Sequence, residues 1–144
     1  MKPSTILPIL TLLLPQALAA TDYQNALACG QRFPRINGAI EKFCYKKNTS
    51  GVATNDLVIP SAYASVGSMF YGLKGNKLVL QITGQCSPAQ WVPAQWCLSQ
   101  FHEMCAQASH PLGWTWRNYG NNGCQRFEIK GKVEGKKKDR VQGR

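Results

Sequence analysis

Six cysteines constrain this chain more than any other feature: Cys29, Cys44, Cys86, Cys97, Cys105 and Cys124, an even number, all downstream of an apolar N-terminal run. The run extends from Ile6 to Leu18 after a Met1-Lys2-Pro3 start, and it closes on Ala17-Leu18-Ala19-Ala20. A positive start, an apolar stretch and a small-residue cleavage site are the parts of a secretory signal peptide. Thirteen apolar-run residues interrupted by Pro8 and Pro15 fall short of the roughly 20 that a bilayer-spanning helix needs. Residues 1–20 are therefore expected to be a removable leader, with cleavage after Ala19 or Ala20, and the mature chain is expected to be secreted, without a membrane segment. In an exported chain of this size, six cysteines read as a disulfide framework.

Zinc is the competing use of cysteine, but zinc sites use close pairs, and the closest pair here, Cys97 and Cys105, is eight residues apart. No metal and no cofactor is expected. Six cysteines allow 15 pairings. Cys97 and Cys105 share a predicted helix, where eight residues rise about 12 Å, too far for a bridge that needs Cα atoms within about 7 Å. Excluding that pair leaves about 12 pairings.

Apolar spacing predicts the elements. After an entry segment at residues 21–33, Ile36, Ala39, Ile40, Phe43 and Cys44 mark one face of a helix over residues 34–45, with Pro34 in its first turn. Residues 46–54 are a polar loop carrying Asn48-Thr49-Ser50, a glycosylation acceptor in an exported eukaryotic chain. Leu57-Val58-Ile59, a mixed run at 66–73 and the alternating Leu78, Leu80 and Ile82 predict strands, the last two joined as a hairpin around Gly75-Asn76. Pro93 opens a second helix whose inner face is Ala94, Cys97, Leu98, Phe101, Met104, Cys105 and Ala108, and His110-Pro111 and Gly113 stop it. Strands are expected at 114–118 and 125–129, separated by Gly120-Asn121-Asn122-Gly123. The expected fold class is α+β: a small disulfide-stabilised domain over 21–129, with two helices packed on one face of an antiparallel sheet.

Charge sets the C-terminus apart. Without Lys2, sixteen Lys and Arg face seven Asp and Glu, a net charge of +9. From Lys130 onward, seven bases face Glu134 and Asp139, so +5 of that excess sits in the last 15 residues. Residues 130–144 are expected to be a basic disordered tail, because they bring too little apolar surface to offset chain entropy. Lys137-Lys138-Asp139-Arg140 fits both a short nuclear-import pattern and a general polyanion contact.

Catalytic raw material is thin. No His-Glu-x-x-His, no Gly-x-Ser-x-Gly and no phosphate-binding loop occurs, and six cysteines committed to disulfides leave no thiol nucleophile. The best enzymatic arrangement is a small ribonuclease using His102 with Glu103 or Glu128 and Arg117 or Arg126. The plainer reading puts His102 and Glu103 on the wet face of their helix, and no enzyme activity is expected. Trp91, Trp96, Trp114, Trp116 and Tyr119 offer faces that stack on sugars or bases, unless they serve as core and edge packing.

The whole profile resembles the small secreted cysteine-rich effectors of plant-pathogenic ascomycetes, in particular the AvrLm-type avirulence proteins of the stem-canker fungus of brassicas. The matching features are the six cysteines, the helix carrying Cys97 and Cys105, and the closing Asn122-Gly123-Cys124-Gln125-Arg126-Phe127 stretch. The resemblance implies a non-enzymatic binding protein secreted during infection. It would act in the host apoplast or host cell, perturb defence through a host plant protein, and be detected by a resistance protein. The other functions weighed are a cationic antimicrobial or killer-toxin-like protein, and a small secreted ribonuclease or glycan-binding protein.

Overall fold

The computed structural model describes residues 16–54, 57–71, 77–108 and 115–132. The leader up to residue 15, the turn at Gly75-Asn76, the helix stop at His110-Pro111 and Gly113, Trp114, and the tail from 133 onward lie outside the described residues. The class is α+β, and the helices are α1 (Gln16–Arg32), α2 (Ile36–Cys44), α3 (Ala62–Val66) and α4 (Ala94–Ala106). The strands are β1 (Val58–Ile59), β2 (Ser68–Tyr71), β3 (Lys77–Thr83), β4 (Gln90–Trp91), β5 (Thr115–Tyr119) and β6 (Gln125–Lys132). An antiparallel four-stranded sheet has the order β2-β3-β6-β5, and β1 pairs with β4 in a small second sheet.

Strand alternation produces the layers. Leu78, Leu80 and Ile82 of β3 are buried, and Leu80 and Ile82 lie opposite Ile129 and Phe127 of β6, so one face of the sheet is apolar. α2 and α4 cover that face. Ile36, Ile40 and Phe43 of α2 and Cys97, Phe101, Met104 and Cys105 of α4 are buried there. Phe101 sits at the centre, edge-on to Phe43 at 5.6 Å and tilted against Phe127 at 5.0 Å. Burying one such side chain contributes roughly 1.5–3 kcal/mol.

Two helices depart from the sequence expectation. The entry segment is helical to Arg32, although its apolar residues do not repeat on one face: Tyr23 is 71% and Leu27 50% exposed. Tertiary contacts hold this helix instead. Cys29 is bonded to Cys105 of α4, Ser99 donates to Asp22 at 2.8 Å, and Asn37 donates to the Ala26 carbonyl at 2.9 Å. α3 was not expected either. The Ser61 hydroxyl caps it by accepting from the Ala64 N–H at 3.3 Å, a preferred capping residue at work. Pro34 is not in the first turn of α2: Arg35 is the N-cap and the helix begins at Ile36. The tail boundary also moves, because β6 continues through Lys130 to Lys132, where pairing with β3 keeps the backbone satisfied.

Candidate functional site

The three bridges are Cys29–Cys105, Cys44–Cys97 and Cys86–Cys124. Two of them anchor α1 and α2 to α4, and the third ties the loop before β4 to the turn before β6. Cys97 and Cys105 lie two turns apart on α4 and reach different partners. Among the described residues no group of His, Cys, Asp or Glu is placed to hold a metal ion, and no helix is long and apolar enough to cross a membrane.

Asn48 lies in an exposed loop closed by the Lys47–Ala53 bridge. Its Oδ1 accepts from the backbone N–H groups of Ser50 at 3.0 Å and Val52 at 2.9 Å. The side chain is thus held in a tight turn with the amide nitrogen toward no protein partner among the described residues.

The residues considered for acid–base chemistry occupy three separate places. His102 is not on a wet helix face. It is half-buried on α4, its Nε2 is buried with no hydrogen-bond partner among the described residues, and burial lowers its pKa against the opposing pull of Glu41 of α2 and Asp22 of α1. Glu103 points the other way, to the seam between α4 and β5, where Arg117 donates to it at 2.8 Å. Tyr119 lies against the same carboxylate at 3.5 Å, and burial followed by the Glu103 charge raises its phenol pKa. Glu128 and Arg126 are on the opposite face of the sheet. Glu128 is only 3% exposed; it pairs with Arg126 and Lys130, each at 2.8 Å, and accepts from Gln81. Strand alternation causes this separation: Arg117 is in register with the inward Phe127, whereas Arg126 and Glu128 flank it on the outward side.

The aromatic candidates divide in the same way. Tyr119 turns inward, edge-on to Phe127 at 5.0 Å, so it packs in the core. Trp116 is on the outer sheet face with the Arg126 guanidinium 4.2 Å above its ring. Trp91 and Trp96 line the same cleft. Trp91 ends β4 and is 57% exposed, and Trp96 lies in the first turn of α4 and is 55% exposed. Between them opens a cleft of about 510 Å³, completed by Val92 and Pro93, by the amide side chains of Gln90, Gln100, Asn121 and Gln125, and by Gly120. The volume is within the ~300–1,000 Å³ of small-molecule sites, and none of these residues is charged.

The amides are held in place. Gln125, at the start of β6, is 5% exposed and donates through Nε2 to Gln90 Oε1 at 3.0 Å. The same oxygen accepts from the Asn121 N–H at 3.1 Å. Gly120 makes this possible. Its φ is +73°, and a Cβ there would come within 2.6 Å of both the Gln125 amide carbon and Gln90 Oε1, so both the conformation and the space demand glycine. Sequence reasoning singled out the two tryptophans and the turn but not the glutamines, because isolated amides at positions 90, 100 and 125 form no pattern along the chain.

No protein-family model, curated protein or solved structure matches this chain.

Proposed function

We propose that the mature chain is a secreted, non-enzymatic binding protein that acts at the plant host interface as a fungal effector. The observation that carries this reading is the placement of the three bridges. They tie the helical layer together and clamp the loops flanking β4 and β6, so that the exposed Trp91–Trp96 cleft is presented by a cross-linked frame. A protein working among extracellular proteases gains from such a frame, because each bridge restricts the unfolded states that proteases attack. The dispersal of His102, Glu103, Glu128, Arg117 and Arg126 over three locations favours recognition over acid–base catalysis. Its partner is a host plant protein, either a defence component or a resistance protein, and the basic C-terminal residues add polyanion contact.

The test begins with intact mass of protein secreted from a eukaryotic host, with and without reduction. Loss of the leader and a gain of two hydrogens for each of the three bridges are expected. The folded protein is then infiltrated into host leaves, and defence responses are compared with those to a reduced and alkylated form. A response confined to the folded form is expected; an equal response to the unfolded chain refutes the reading.

A further inference from the structure

We infer that the Trp91–Trp96 cleft binds a short neutral oligosaccharide. This rests on the reading of the chain as a binding protein and names the ligand class of its cleft. A sugar ring presents two kinds of surface, C–H faces that pack on aromatic rings and hydroxyls that both donate and accept hydrogen bonds. The cleft offers both. Trp91 and Trp96 leave more than half of their surface to solvent, a cost in exposed apolar area that a bound ring would remove. The polar groups on the walls are side-chain amides, each carrying donors and an acceptor side by side, which suits hydroxyls better than it suits a carboxylate or a phosphate.

Charge supports the same choice. The chain carries a net +10, yet among the described residues no lysine or arginine lines this cleft. A site for RNA or another polyanion would be built on cations. The amide array is also set before a ligand arrives: the Gln125–Gln90 bond and the Asn121 N–H fix one wall, so little side-chain freedom is lost on binding. Gln100 also lines the cleft and adds a further side-chain amide to it. A proline-rich peptide also stacks on tryptophan, but it brings few donors for a wall of amides.

The experiment titrates the mature, disulfide-intact protein, followed by tryptophan fluorescence and calorimetry. The probes are cello-, xylo- and manno-oligosaccharides of plant-wall type, chito-oligosaccharides of fungal-wall type, charged oligogalacturonides and a proline-rich peptide. Saturable binding of at least one neutral oligosaccharide is expected, and the arm that binds identifies plant or fungal wall as the source. Trp91→Ala, Trp96→Ala and Gln100→Leu should each weaken it about tenfold or more, while Trp116→Ala on the far sheet face leaves it unchanged. Because Trp91 and Trp96 are exposed, their variants should retain the native amide spectrum, which checks the fold. The inference is overturned if no neutral oligosaccharide saturates, if binding survives the double tryptophan variant, or if the proline-rich peptide or the oligogalacturonides bind in preference. Absent sugar binding with a retained leaf response overturns this inference alone, and sugar binding without any leaf response overturns the host-interface reading alone.

Discussion

Replacing Cys44 and Cys97 together by alanine removes the bridge between α2 and α4 without leaving a free thiol, and its cost follows from how the loops are nested. The bridge closes 53 residues and lies inside the 76-residue loop of Cys29–Cys105. With the outer bridge intact, Cys44 and Cys97 are already joined along two routes, the 53 residues between them and the remaining 23 of the outer loop. Two flexible segments joining the same points act together as one shorter segment, here of about 16 residues. Closing that length contributes about 3 kcal/mol, against about 4 kcal/mol for a lone loop of this bridge's span. Cys44 and Cys97 are 4% and 0% exposed, so lost sulfur packing adds about 1 kcal/mol. The expected loss is about 4 kcal/mol, a large share of the ~5–15 kcal/mol that holds a domain folded. It corresponds to a fall in melting temperature on the order of 20 °C. Guanidinium unfolding of the wild type and the double variant, both with the other two bridges intact, measures it directly. A loss below about 1 kcal/mol would refute the chain-entropy argument.

Other substitutions test other parts of the fold. Phe101→Ala empties the centre of the aromatic cluster between Phe43 and Phe127 and should cost about 3–5 kcal/mol in denaturant unfolding. Gly120→Ala forces a Cβ into the Gln90–Gln125 amide pair at a positive φ; a loss of about 1–3 kcal/mol is expected, with amide shifts in NMR spectra concentrated at the cleft. Arg117→Ala, which breaks a pair whose side chains are 40% and 36% exposed, should change stability by no more than about 1 kcal/mol. Burial lowers the His102 pKa from its usual 6.5, so the unfolded chain takes up this proton first. Stability from this group is fully present above pH 6.5 and is lost as the pH falls from there toward the folded-state value. His102→Gln should flatten that part of the stability–pH curve, and unfolding midpoints measured between about pH 5 and 8 would show it.

Much of this molecule was legible from the chain because the signals were local and periodic. The inner faces of α2 and α4 and the alternation of β3 could be read from spacing, since a helix or strand packed on a core must present apolar residues at its own period. The length of the Cys97–Cys105 separation along a helix was enough to forbid that bridge. Other features had no local signal. α1 lacks an apolar stripe and is held by Cys29 and by hydrogen bonds to residues distant in sequence, so its helicity is a consequence of tertiary contact. Nothing along the chain placed Trp91 and Trp96 around one cleft while turning Tyr119 into the core and Trp116 to the opposite sheet face, nor brought Gln125 to Gln90 across Gly120. The sequence by itself determined the class of fold, the committed cysteines and the buried faces, because composition and period act within one element. Only the tertiary structure decided which of 15 cysteine pairings forms, which face each candidate side chain occupies, and where the cleft lies, because those depend on the register and packing of elements far apart in the chain.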